Sequence, residues 1–358
     1  MTAASHPKRQ SSFLPRPSMH VSAVIWAVVA LLPFGLVYLA HFLSLSEQAT
    51  GFILWDMPYY SANGREIFER GNGLMYCNPY DPDPAAPVIY FHWLSWILGV
   101  GIAVFHLDPG GWFLFIGATA ALATAALTFV LVAAVLPSRQ YLVPLYLLAM
   151  WGGGLLVATA VTANLLTGQP LTSETLRLDP FKGWWFLSWG RNLVLPNEAV
   201  YHLLVVAAWL AIVKNRPWLA VLAVSLLAAT HPFSGIQHLA ILGAWFVWQT
   251  VSERRFSPQL GTVAAVTVCF LGYYFLYLPA FPAHRAIHDR WSLDWTLPLA
   301  SLAAAYGPVC AVAVARLSRD RLVLPHHTVF FVIAAAVSLA LVKHEWLLPS
   351  RQPLHFTR

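Results

Sequence analysis

Charge is in shortest supply in this sequence. Only 10% of its 358 residues are Asp, Glu, Lys or Arg, against roughly 25% in an ordinary soluble domain. So few charges cannot coat a globule of this length, which excludes a soluble monomer. Cysteine is almost as scarce. Cys77, Cys269 and Cys310 are the only three, two of them in apolar runs, so a disulfide framework and a CxxC metal pair are both excluded. The net charge of +6 points to neither DNA nor RNA, and no nucleic-acid partner is expected. What is present is apolar: 58% of the residues are hydrophobic, with 16 Trp, 13 Tyr and 21 Phe. That is more aromatic residues than a core needs, and it suits two interfacial belts around a protein whose main solvent is the lipid bilayer.

A membrane helix needs about 20 apolar residues. Candidates lie at 21–43, 88–107, 111–136, 141–163, 197–213, 217–231, 233–250, 259–279, 297–315 and 325–343. The first is too long for a signal-peptide core and has no clear small-x-small cleavage site, so it reads as an uncleaved anchor behind a cytoplasmic tail, residues 1–20. If all ten segments cross, Arg139, Lys214, Arg216, Arg254, Arg255, Arg316, Arg319 and Arg321 fall opposite the basic N-terminus, against the positive-inside rule. If the aromatic segment 88–107, interrupted by Gly99 and Gly101 and closed by Asp108-Pro109-Gly110-Gly111, dips in and returns, every short basic loop becomes cytoplasmic. All acids except Glu253 and Asp320 are then outside. The expectation is an all-α transmembrane bundle of about nine to ten spans with one re-entrant or interfacial helix. It forms a single domain over 21–358, with outer loops 44–87, 164–196 and 280–296 and any chemistry on the outer face. The abrupt end at Thr357-Arg358, without a helix or cap, reads as a fragment of a longer protein.

The first outer loop, WDMPYYSANGREIFERGNGLMYCNPYDPDPAAPVIYFHW, is the most informative stretch. Asp56 follows the first span closely, beside Trp55 and ahead of Pro58, Tyr59 and Tyr60. Residues 61–70 suit a short helix with Ile67 and Phe68 toward lipid and Arg65, Glu66, Glu69 and Arg70 toward water, broken by Gly71-Asn72-Gly73. A carboxylate near apolar surroundings has a raised proton affinity, the condition for a general base at neutral pH. The alternative for Asp56 is a surface acid capping that helix. Asp81 and Asp83 have the DxD spacing used to hold divalent ions, but their flanking prolines favour a turn, and two acids alone make a weak cation site; no metal or other cofactor is expected.

An anchor, a long outer loop with an early Asp, a Tyr three residues on, a short interfacial helix ending in Gly, then Asn-Pro-Tyr and a Pro before an aromatic span resembles the GT-C membrane glycosyltransferases. The matching positions are Asp56, Tyr59, Gly71, Asn78, Pro79, Tyr80 and Pro87. The likeness covers the first hundred residues in pattern and the rest in topology. It implies a polyprenyl-phosphate-linked sugar as donor, a glycan, lipid or protein acceptor, and Asp56 as the carboxylate that activates the acceptor hydroxyl. Most members carry a further outer domain after the last spans.

Other outer residues are candidates for binding. The segment QPLTSETLRLDPFKGWWFLSWGRNLVLPNEAVYH mixes charged residues with indoles, a combination that stacks on sugar rings and takes their hydroxyls. Arg191 and Glu198 stand there at the mouth of a span, while Trp184, Trp185 and Trp189 read equally as an interfacial belt. His231, before Pro232 in an outer turn, either bonds a lipid phosphate or satisfies carbonyls that the proline frees. His284, Arg285, His288, Asp289 and Arg290 form a basic outer cluster, and Arg351, His355 and Arg358 a second. Paired guanidinium bonds suit phosphate, and headgroup contact is the alternative for both. Lys343 has the position of a snorkelling residue.

A transporter is the competing class. With Glu198 and Lys343 taken at the ends of their spans, no Asp, Glu, Lys or Arg falls inside any segment, which counts against coupled transport. Within enzymes, an acyltransferase or polymer ligase using His231 is the nearest alternative.

Overall fold

The computed structural model describes residues 18–43, 49–54, 56–78, 83, 85–151, 162, 164–168, 189–290, 299–319 and 324–344. Helices dominate them. In chain order they are α1 (Met19–Leu43), α2 (Met57–Glu69), α3 (Trp93–Gly99, continued by π-helical Val100–Val104), α4 (Pro109–Val135), α5 (Leu142–Trp151), α6 (Trp189–Asn192) and α7 (Pro196–Val213). They continue with α8 (Pro217–Ala228), α9 (Pro232–Glu253), α10 (Pro258–Leu271, continued by π-helical Gly272–Tyr277 and a 3-10 turn Leu278–Ala280), α11 (Pro282–Arg290), α12 (Leu299–Arg319) and α13 (His326–Val342). The described strands are β1 (Met75–Tyr76) and β2 (Tyr90–Phe91), antiparallel with Met75 opposite Phe91 and Tyr76 opposite Tyr90. The fold is all-α. Later parts of the span expected at 141–163, most of the second outer segment, and Arg351, His355 and Arg358 lie outside the described residues.

Proline places the helix starts. α4, α7, α8, α9, α10 and α11 all begin on one, because the first helical residue needs no N–H partner and the fixed φ of proline is already helical there. α1, α4, α7 and α10 with its extension to Ala280 are long and apolar enough to cross a membrane. Large apolar side chains stay outward on them and their neighbours: Leu36 is 61% exposed, Leu276 75% and Val312 71%. Such a surface is stable only against lipid.

Small residues set the packing, as is usual where lipid tails are as apolar as the helix surfaces. α4 and α7 form the central pair: Gly117 leaves room for Pro196, and the Thr124 hydroxyl donates to Ala120 O at 2.8 Å and to Ala199 O of α7 at 3.3 Å. α1 buries Ala23, Ala27 and Ala30. Its far end is tied to the same end of the bundle, since Tyr38 Oη donates to Val194 O at 2.8 Å and the Gly51 amide donates to His41 Nε2 at 3.1 Å. One apolar core joins α1, α3, α4 and α5; a second joins α7, α8, α9, α10 and α13.

α3 lies across this end of the bundle. Trp93 Nε1 donates to Leu226 O near the end of α8 at 2.9 Å, and Trp112 Nε1, in the first turn of α4, donates to Ile97 O at 3.3 Å. α2 rests on α3 through two glycines, Gly64 and Gly99, whose backbones touch. This corrects the expectation for α2. Ile67 is 1% exposed and packed inside, and Phe68 meets Trp96, because the apolar face of the helix rests on protein and not on lipid. α2 also starts four residues earlier than expected, at Met57.

Candidate functional site

Polar side chains gather where α2 and α3 cross the first turns of α7 and the turn between α8 and α9. Asp56 occupies the N-cap position of α2 yet accepts no capping bond. Asp108 shows the contrast, for at α4 it takes the Gly111 amide at 2.6 Å. The capping alternative for Asp56 therefore fails: its carboxylate is not engaged by the amides of its own helix. One turn on, the Tyr60 amide donates to the Asp56 carbonyl at 3.3 Å. Glu198, in the first turn of α7, is 1% exposed. It stays at the mouth of the span, as expected, but is enclosed by protein there. Burial, and then the charges of Asp56, Glu198 and Tyr59, push the Tyr60 phenol well above its ordinary range, opposed by a hydrogen bond from Tyr201.

Two histidines cap helices in the same way. His92 Nδ1 accepts the Ser95 amide at 3.3 Å ahead of α3, and His231 Nδ1 accepts the Ser234 amide at 3.1 Å ahead of α9. Both flank Tyr201 of α7: His92 Nε2 is 3.1 Å from its hydroxyl, and the His231 ring centroid is 4.6 Å from its ring. Tyr60 completes the group, 5.2 Å from His92 between ring centroids and within hydrogen-bonding reach of Tyr201. His202 Nδ1 lies 2.7 Å from Glu198 O, and its ring meets Trp189 of α6 edge-on at 4.6 Å. Asp56, Tyr59, Tyr60 and His231 are partly exposed, whereas His92, Glu198, Tyr201 and His202 are buried. The cluster thus has an open face and a buried floor.

Burial pulls the His92 pKa down to about 3 from 6.5, so the folded protein holds it neutral. The unfolded chain takes up a proton below pH 6.5 while the folded one does not until about 3. This stabilisation is complete above pH 6.5 and is lost as the pH falls toward 3, at a slope of about 1.4 kcal/mol per pH unit at most. Melting in detergent is expected to drop steadily from neutral pH to about pH 4. His92→Asn, which can still cap α3, is expected to lose less across that window; an equal loss in both proteins would remove His92 as the cause.

Of the residues expected from sequence, the structure unites Asp56, Tyr59, Tyr60, Glu198 and His231. Arg191 of α6 is half-buried at the same end of the bundle. Arg65, read as facing water, is about half exposed and pairs with Glu69 at 2.7 Å. Arg65→Ala is expected to cost no more than about 0.5 kcal/mol in thermal stability and to leave activity unchanged. Asn78 sits half-buried just past β1. Arg285 gives Nε and Nη2 to Pro279 O at 3.1 and 2.7 Å, closing the turn ahead of α11. Arg290 ends α11. Asp83 builds a turn, accepting the Ala85 amide at 2.9 Å, as its flanking prolines favour. Sequence reasoning misses His92 and Tyr201. A repeated His-x-x-Ser, at His92–Ser95 and His231–Ser234, is the signal that could find the first.

Beside the cluster an apolar groove of about 290 Å³ runs between α8 and α10 under the strand pair, lined by Met75, Phe91, Ala228, Ala229, Phe270 and Tyr273 among others. The Tyr273 hydroxyl holds β2 over it, donating to Ile89 O at 2.9 Å and accepting the Phe91 amide at 3.0 Å. Tyr90 Oη and His284 Nδ1, 3.0 Å apart, tie β2 to α11.

No family model matches this chain, and neither a curated protein nor a solved structure shows significant similarity to it.

Proposed function

We propose that this chain is an integral membrane glycosyltransferase that moves a sugar from a polyprenyl-phosphate donor to an acceptor hydroxyl on the outer face of the membrane. The observation that carries this reading is Asp56. It is an acid at the start of a helix it does not cap, on the open face of a polar cluster that ends a bundle of apolar helices. The course of α3 across the bundle end is what an interfacial or re-entrant segment 88–107 requires, and in this reading the positive-inside rule puts the N-terminus in the cytoplasm and the cluster outside. The groove between α8 and α10 is lined by Ala228 and Ala229, two residues before His231 in the chain, and in this reading takes the hydrocarbon tail of the donor.

In this reading Asp56 takes the proton of the acceptor hydroxyl as its oxygen bonds to the anomeric carbon. The bond from that carbon to the phosphate oxygen breaks, and its electron pair leaves with the phosphate. The leaving group is already anionic, so no general acid is required. In this reading Arg191, half-buried in α6 at this end of the bundle, is the guanidinium that meets it.

A ligase or acyltransferase based on His231 is less well supported, since its Nδ1 is taken by the Ser234 amide and its Nε2 then carries the proton. Glu198 buried within α7 is the observation that favours transport. The deciding experiment is the mass of envelope glycans and lipid-linked sugars in a strain lacking the gene, with and without the wild-type copy. A sugar that disappears and returns supports transfer and identifies the sugar; glycans that never change sink the reading.

A further inference from the structure

The hydrogen bonds that reach Tyr60 have a direction. His92 Nδ1 accepts the Ser95 amide hydrogen at 3.3 Å, so the proton of the neutral ring is on Nε2, which donates to Tyr201 Oη at 3.1 Å. With that hydrogen bond on its oxygen, Tyr201 turns its own hydrogen to Tyr60, whose hydroxyl is within reach. Tyr60 therefore receives a hydrogen bond and keeps its own hydrogen for a further acceptor. It is also the one member of the chain that is partly exposed, His92 and Tyr201 being 6% and 2% exposed.

We propose that this chain of donors runs one way only, so that the Tyr60 hydroxyl is a dedicated donor to an uncharged ligand oxygen, a sugar hydroxyl, while His92 and Tyr201 are positioning residues that act through it. The sugar identity of the ligand rests on the proposed transferase reading; the direction of the chain does not. Each donor that accepts a hydrogen bond becomes a stronger donor, so the buried pair strengthens Tyr60. The groups facing Tyr60 are Asp56 and Tyr59 on its own helix, Glu198 and Tyr201 on α7, His92 ahead of α3 and Tyr76 on β1. The charged ones among these are two carboxylates, which repel an anionic oxygen and tolerate a neutral hydroxyl. The donor phosphate then lies elsewhere, and Tyr60 meets the sugar or the acceptor.

Direction can be read from the sign of a titration. A hydrogen bond received by a phenol favours its phenolate, and one donated by it favours the neutral form. Difluorotyrosine at position 60 of the full chain in lipid nanodiscs, far more acidic than tyrosine, brings the ionisation into a mild range that fluorine NMR can follow. Adding Tyr201→Phe is expected to raise the fluorophenol pKa by about one unit. His92→Asn, able to cap α3 but too short to reach Tyr201, is expected to raise it by less. A fall, or no change, overturns the one-way chain; should Tyr201→Phe fail to fold, the sign with His92→Asn decides. The same fluorine signal is then followed while methyl glycosides of common hexoses and pentoses, and separately inorganic phosphate, are added. A response to a glycoside and none to phosphate supports the ligand class, and the reverse overturns it. If the titration sign is as expected and envelope glycans never change, the donor direction stands and the transferase reading alone falls.

Discussion

Asp56→Asn is expected to lower sugar transfer by about a thousandfold, within the range by which a positioned general base contributes to such reactions. The change keeps the shape and removes the proton-accepting carboxylate. Asp56 makes no capping bond to α2, so the change takes no cap from that helix. Asp108 provides the calibration. Its carboxylate does cap α4, so Asp108→Ala is expected to cost about 1 kcal/mol, whereas Asp56→Ala removes no cap from α2 and is expected to lower transfer at least as far as Asp56→Asn. Transfer assayed in proteoliposomes with equal amounts of folded protein separates the two. Full activity in Asp56→Asn would remove the catalytic role of the first outer loop.

Gly64→Val is expected to destabilise the protein by about 3 kcal/mol or more, at or beyond the upper end of the usual overpacking cost. A Cβ at Gly64 would lie 2.5 Å from Ser95 O and 2.7 Å from Gly99 N. Both are backbone atoms and neither can swing aside, so α2 must lift from α3. Hydrogen bonds do not hold this seam: the Ser61 and Ser95 hydroxyls and the Asn63 amide are buried there without partners among the described residues. Close backbone contact is what remains. Lifting α2 also moves Asp56 and Tyr60 off the cluster, so activity is expected to fall with stability. Gly35→Ala in α1, where an added Cβ meets nothing within 4 Å, serves as the control and is expected to be neutral or slightly stabilising. A Gly64→Val protein that melts like the wild type would mean that α2 does not pack on α3 through this glycine.

Reading residues without their neighbours succeeds for some of the site and fails for the rest for physical reasons. Asp56 and His231 stand out because each is polar at the edge of an apolar run. Tyr201 does not, because a tyrosine inside a membrane helix looks like one more belt aromatic. Ile67 is given the wrong surroundings, while Arg65 on the other face is rightly read toward water. Amphipathicity shows that a helix has two faces, not whether its apolar face meets lipid or another helix, and here it meets α3. Glu198 reads as the mouth of a span, and only the packing of α7 against α4 and α6 shows that it is buried.

What the residues dictate unaided is local. The shortage of charge selects lipid as solvent, apolar runs select helices, and prolines at Pro109, Pro196, Pro217, Pro232 and Pro258 mark where helices start. Each depends on a few consecutive residues and on water or lipid, so each is legible without a fold. Which polar groups meet is set by tertiary packing. Tyr60, His92, Tyr201 and His231 come from four segments far apart in the chain, and they converge because Gly117 admits Pro196 and Gly64 admits Gly99. Close packing of this kind falls off within fractions of an ångström, and no local pattern of residue types carries that information.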